Sequence, residues 1–328
     1  MSSSFESLVN FPKVTVIIPV FNAQDTIVRT LNSVYTSKYP DYEVIIVDDG
    51  SQDQTVLTLE NWCEKTVHSI RLLRKKHGGK ASAANFGAKE SQGEVLFFLD
   101  ADSYVVPDFI ERSLVILEKT RKDAIDYVQQ VSNPQATLWT RVSQFERKLL
   151  ELHPDNFGAL FVVKREVLEK YPFTTCLSPQ YDMDMRLSRA DLLIFDPTPV
   201  VFSDEPVKFM RMLQRKIRWT YGFLEAIKMN GFEKRREKFS FVLRFSLSFI
   251  GLFLMVIPFI LGLVVNYFFY FFPVLLFVVL MTKNFILAYR MRLNLGIAII
   301  FTLYQLYILN LAVVIAVLRF GFRRPPKW

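Results

Sequence analysis

Short β-rich runs at residues 14–19, 43–47, 70–73 and 95–99 alternate with stretches of helical pattern at 23–37, 55–65 and 81–90. Strand and helix in alternation predict a mostly parallel sheet, because parallel neighbours need a crossover long enough to hold a helix. Three of the runs, VTVII, EVIIV and EVLFFL, are apolar almost without a break. That is the pattern of strands covered by helices on both faces. Ligands of such sheets bind beyond the carboxyl ends of the strands, so the residues after each run carry the functional information.

Polar groups gather there. The first run is followed by Pro19-Val20-Phe21-Asn22, the second by Asp48-Asp49-Gly50-Ser51 and the fourth by Asp100-Ala101-Asp102-Ser103. Asp100 and Asp102 are one residue apart, so on an extended segment their carboxylates point the same way. Hard oxygen donors of this kind suit Mg²⁺ or Mn²⁺, which keep waters and share their remaining positions with substrate phosphates. Gly78-Gly79-Lys80-Ala81 has the spacing of neither a Walker loop nor a dinucleotide fingerprint. Phosphate would therefore be held by metal and side chains, with Lys80 a candidate.

The second half has a different composition. Hydrophobic residues make up 51% of the 328, Phe occurs 31 times, and residues 245–282 and 293–318 contain no charge. About 20 apolar residues cross a bilayer, so these runs predict three transmembrane helices near 245–264, 267–284 and 293–318. Between residues 208 and 238 stand ten Lys or Arg against three Glu, with apolar side chains interleaved. A basic amphipathic segment beside a span reads as an interfacial helix on anionic lipid, which accounts for the net charge of +8 and argues against nucleic acid as a partner. The N-terminal stretch lacks the pattern of a cleaved signal, and Cys63 and Cys176 have no metal-ligand spacing. The expectation is a multi-pass protein of the cell membrane with its first domain on the cytosolic face.

Several of these motifs together resemble the family 2 glycosyltransferases of GT-A fold. The matching residues are Val16-Ile17-Ile18-Pro19-Val20-Phe21-Asn22, Val47-Asp48-Asp49-Gly50-Ser51, Gly79-Lys80-Ala81, Asp100-Ala101-Asp102 and Asp182, within residues 12–219. The resemblance implies an inverting transfer from a UDP- or GDP-sugar. It places Pro19, Val20, Asp48, Asp49, Lys80, Asp100, Ala101 and Asp102 around the nucleotide sugar. Asp48 or Asp49 would bond the base, Asp100 the nucleotide, and Asp102 the metal on the diphosphate. Asp182 matches the general base that deprotonates the acceptor hydroxyl, in the one-displacement logic that inverts the anomeric centre.

Two departures from the family pattern stand out. Tyr181 occupies the usual glutamate position before Asp182, and Asp184 is placed to share the base's role. In Gln214-Arg215-Lys216-Ile217-Arg218-Trp219, Arg215 falls where polysaccharide synthases carry the glutamine of a Q-x-x-R-W element. Arg215, Arg218 and Trp219 are nonetheless candidates for the diphosphate or the acceptor. The expected organisation is a GT-A domain at 1–205, basic interfacial helices at 206–243, a transmembrane region at 244–320 and a basic tail at 321–328. The expected acceptor is a lipid or a lipid-linked saccharide at the membrane. The alternatives are a processive polysaccharide synthase and a non-catalytic nucleotide-sugar-binding membrane protein.

Overall fold

The computed structural model describes residues 12–68, 70–150, 160–231, 271–290, 295–322 and 325. The chain divides into two compact units, Met1–Ser132 with His153–Asp204, and Asn133–Leu152 with Glu205–Trp328.

The first unit is built on a seven-stranded sheet. In chain order its described elements are β1 (Val14–Val20), α1 (Ile27–Val34), β2 (Tyr42–Asp48), α2 (Thr55–Lys65), β3 (Arg71–Arg74), α3 (Lys80–Glu90), β4 (Val95–Leu99), β5 (Ser103–Val105), α4 (Phe109–Thr120), β6 (Ala124–Tyr127) and β7 (Gln130–Val131). After α5 (Leu138–Leu150), which belongs to the second unit, come β8 (Leu160–Lys164), α6 (Arg165–Lys170), α7 (Pro179–Arg189), β9 (Leu193–Asp196) and β10 (Val201–Ser203). The sheet order is β3-β2-β1-β4-β8-β6-β9, and β5-β10-β7 form a small second sheet.

The four predicted strands lie side by side and parallel. Strand β8, which the sequence reading passed over, inserts between β4 and β6 and runs antiparallel to both. Its Leu160-Phe161-Val162-Val163 is a fully buried apolar run, long enough for a strand and too short to declare itself by periodicity. The helix expected at 23–37 is shorter, Ile27–Val34.

Alternation along β1 feeds two cores. Val14, Val16, Ile18 and Val20 face one cluster with Leu31 and Leu59 from the covering helices, while Ile17 faces a second with Ala84 of α3 and Met183 and Leu187 of α7. Helix α3 is rich in small residues and sits close to the sheet. A Cβ on its Gly87 would fall 2.7 Å from Ile17 Cγ2 and 2.9 Å from Val47 Cγ2. Only glycine permits that approach.

Chain order reverses across the β1/β4 pair: β1 leads outward to β2 and β3, and β4 returns to its other side. A reversal of this kind opens a crevice beyond the carboxyl ends of the two strands. Pro19 and Asp100 stand there.

The described α-helices of the second unit are α5, α8 (Phe209–Asn230), α9 (Phe271–Arg290), α10 (Leu295–Leu303) and α11 (Asn310–Gly321), with a π-helical segment at Tyr304–Leu309. Val142, Phe145, Met212, Ala288, Ala298, Phe301 and Tyr304 form its core. Buried Asn284 of α9 donates through Nδ2 to Thr302 Oγ1 and Gln305 Oε1, both at 2.9 Å.

The expected transmembrane region is not borne out. Among the described residues no helix is long and apolar enough to cross a membrane. The segment expected at 293–318 is not one α-helix: it comprises a nine-residue α10, a six-residue π-helical segment and a twelve-residue α11. The segment expected at 267–284 falls partly in α9, where Lys283 and Asn284 interrupt the apolar run and Arg290 ends it. A stretch without charge is not thereby apolar, since Thr302, Tyr304, Gln305 and Asn310 all lie in the second run. The expected span 245–264 lies outside the described residues, as does 232–243 of the basic segment. The multi-pass placement in a cell membrane, which rested on these spans, falls with the same finding.

Candidate nucleotide-sugar site

The turn after β1 and the turn after β2 are stitched together. Asn22, with a left-handed φ of 53°, donates its N–H to Ser51 Oγ at 3.0 Å and accepts the Gln52 N–H at 2.8 Å. Asn tolerates that backbone region better than most residues. Phe21, which precedes it, lies against His77 with ring centroids 4.5 Å apart, and both side chains are substantially exposed. The sequence reading did not single out His77, because the contact depends on how the β3–α3 loop returns.

Asp48 and Asp49 are adjacent and do different work. Asp48, the last residue of β2, is buried and accepts the Ser51 N–H at 3.0 Å. Asp49 is also buried, and donors surround its carboxylate: Lys75 Nζ at 2.6 Å, the Gly78 N–H at 3.0 Å and the Gly79 N–H at 2.7 Å, while His77 Nδ1 lies 3.1 Å from its backbone carbonyl oxygen. Asp49 thus holds the loop that starts α3, and its carboxylate sits where the helix presents unpaired N–H groups. Gly79, at the N-cap with φ 86°, lets the chain turn into the helix.

That turn sets Lys80 at the first position of α3. Its Nζ forms an ion pair with Asp100 Oδ1, both side chains about one-third exposed. Lys80 and Asp100 line a cleft with Pro19, Ala84, Phe98 and Gln180. The Val20 side chain is buried in the core, and its carbonyl accepts the Asp49 N–H at 2.9 Å, so it contributes backbone only. The Ala101 carbonyl accepts the Thr30 hydroxyl at 3.0 Å, and the Ser103 N–H closes back on the Asp100 carbonyl at 3.0 Å. Between these anchors Asp102 is exposed, its Oδ1 3.3 Å from Ser103 Oγ.

Among the described residues no group of three or more His, Cys, Asp or Glu forms a metal cage. An exposed Asp102 beside Asp100 still fits a hard divalent cation of the Mg²⁺ type, which needs one or two carboxylates and takes its other ligands from phosphate and water.

Residues 15–176 match the model of glycosyl transferase family 2. The chain carries a family 2 glycosyltransferase domain.

This glycosyltransferase domain is 37% identical over 107 residues to a glycosyltransferase of Rickettsia felis, covering 33% of this chain and 17% of the relative. It is 29% identical over 115 residues to the poly(ribitol-phosphate) beta-N-acetylglucosaminyltransferase TarS of Staphylococcus aureus, covering 34% of this chain and 20% of TarS. The matched stretch thus spans less than half the length of these curated relatives. In fold, the chain is similar to the mannosyltransferase PcManGT of Pyrobaculum calidifontis, solved with GDP-Man and Mn²⁺. The TM-score is 0.65 at 19% identity, over 96% of this chain and 89% of PcManGT. The α/β fold of the glycosyltransferase domain is of GT-A type.

Asp182 stands in the first turn of α7, 1% exposed, and its Oδ2 accepts from Thr174 Oγ1, from Arg186 Nε at 2.9 Å and from Arg186 Nη2 at 2.8 Å. Asp184, two residues on, is 2% exposed. Burial and the nearby Asp126 carboxyl hold its pKa well above the usual carboxylate range. Asp126 was not singled out in the sequence, although an Asp inside the apolar strand Ala124–Tyr127 was a signal that could have found it.

Arg215, Arg218 and Trp219 lie on α8 of the second unit. Arg215 pairs with buried Glu205, to which Arg147 also reaches at 3.4 Å. The indole of Trp219 is flanked by Arg215 at 4.8 Å, Lys216 at 4.7 Å and Arg147 at 5.1 Å from its centroid. Within that unit the three cations and Glu205 fasten α5 to α8.

Proposed function

We propose that the chain transfers a sugar from a UDP- or GDP-linked donor to an acceptor hydroxyl, with inversion and with the help of Mg²⁺ or Mn²⁺. The observation that carries this reading is the convergence of Pro19, Asp48, Lys80, Asp100 and Asp102 at the carboxyl ends of β1, β2 and β4 in a family 2 domain.

Asp48 is the better partner for the base, because Asp49 is already committed to Lys75, Gly78 and Gly79. The exposed Phe21 and His77 rings offer the base an apolar face. Asp100 contacts the nucleotide, and Lys80 meets the negative charge of the diphosphate. Asp102 holds the cation, which when bound neutralises charge on the departing nucleoside diphosphate. The bond from the anomeric carbon to the diphosphate oxygen breaks as the acceptor oxygen attacks from the opposite face. Asp182 takes the acceptor's proton. Its bonds to Arg186 and Thr174 fix the direction of the carboxylate.

The acceptor in this reading is a lipid or a lipid-linked saccharide. Support comes from the apolar side chains Val274, Leu275, Val278 and Val279, which α9 exposes. Titrating UDP and GDP into the protein with and without Mn²⁺ tests the donor half. One nucleotide should bind in a metal-dependent way, more weakly in Asp48→Ala and without metal dependence in Asp102→Ala. Equal, metal-independent binding by all three proteins would contradict the assignment.

A further inference from the structure

Helix α7 buries two acids, Asp182 and Asp184. Asp126 is fully buried in β6, a strand paired with β8 on one side and β9 on the other. Its Oδ1 accepts Gln180 Nε2 at 2.8 Å. Asp184 is 2% exposed, and among the described residues no donor reaches either of its oxygens. Gln180 stands one turn earlier on the same face of α7, so its bond to Asp126 brings that carboxyl to the face that carries Asp184. Two carboxylates are both acceptors and cannot bond one another, whereas a carboxylic acid and a carboxylate can.

We propose that Asp126 and Asp184 share one proton, and that this hydrogen-bonded carboxyl pair seats α7, and Asp182 with it, on strand β6.

Leaving two bare charges side by side out of water would be costly, and a shared proton removes one of them and satisfies the orphaned oxygens at once. The charged groups facing Asp184 are Asp126 from β6, Asp182 on its own helix and Lys80 from α3. The two carboxylates favour keeping the proton and Lys80 opposes it. Gln180, which lines the cleft, fixes the other end of the pair by donating to Asp126. Asp184 is thereby a positioning residue rather than a group that touches substrate.

The pair binds its proton more tightly folded than unfolded. Its contribution to stability is therefore fully present below the ordinary carboxylate value near about 4, declines as pH rises through the interval up to the raised folded value, and is flat above it. An Asn at either position donates to the remaining carboxylate without any proton, so that slope disappears.

Thermal unfolding of the full chain at pH 5 and pH 8 tests this, comparing wild type with Asp184→Asn and Asp126→Asn, together with infrared spectra at pH 7. Wild type should lose more of its melting temperature between the two pH values than either variant. It should also show the carbonyl stretch of a protonated carboxyl that both variants lack. Parallel pH dependence in all three proteins, or no such band in wild type, overturns the proposal. The effect of the seat on catalysis rests on the proposed role of Asp182, and that role is read separately. Should Asp182→Asn turn over normally while the band and the slope behave as stated, the catalytic reading fails and the shared proton stands.

Discussion

Lys80, the first residue of α3, forms an ion pair with Asp100, the residue immediately after β4. The pair joins the start of α3 to the end of β4 in the wall of the cleft. Both side chains are about one-third exposed, so solvent competes for each partner and the pair adds little to stability. In the proposed reaction an incoming diphosphate would offer Lys80 a stronger partner.

Lys80→Ala should therefore weaken nucleotide binding by roughly 10- to 100-fold, the range expected for losing a hydrogen bond to a charged group. The unfolding free energy should change by less than about 1 kcal/mol. Calorimetric titration and chemical denaturation measure the two effects independently.

Asp49 should behave in the opposite way. Its carboxylate is buried and takes donors from Lys75, Gly78 and Gly79. Asp49→Ala would strand a mostly buried ammonium and two backbone N–H groups, and should cost about 3 kcal/mol or more in a denaturant titration. Asp48→Ala should reduce nucleotide affinity with a smaller loss of stability.

In the second unit, Lys216 is buried against Glu146, and burial pushes its ammonium down to about 8. A lysine whose folded value lies below its ordinary 10.5 binds its proton less tightly folded than unfolded. Stability contributed through this group therefore rises as pH climbs from about 8 toward 10.5. Lys216→Met should remove that rise, and difference melts of wild type and variant across this interval check it.

Much of the first unit was legible because its signals are local. The strands VTVII, EVIIV and EVLFFL and the polar turns after them read directly from the chain, and the turns gather at one rim. Strand β8 was not legible, since a short apolar run looks alike in a strand and a buried helix. The different fates of Asp48 and Asp49 depend on Lys75, His77 and the glycines returning from β3, a long-range closure that spacing does not encode. The charge-free stretches were over-read: amides and hydroxyls such as Asn284, Thr302 and Gln305 pair with one another inside the helical unit. Arg215, a candidate for the diphosphate or the acceptor, pairs with Glu205 within its own unit, a contact that spacing does not encode.

The central claim is that this cleft performs an inverting, metal-dependent sugar transfer. Its most direct test is turnover of UDP- and GDP-sugars with a panel of lipid and lipid-linked acceptors, plus and minus Mn²⁺ or Mg²⁺, for wild type, Asp102→Ala and Asp182→Asn. The account predicts a glycosylated product of inverted anomeric configuration that requires the cation and is lost in both variants. Product with retained configuration, or undiminished turnover by Asp182→Asn, would contradict it.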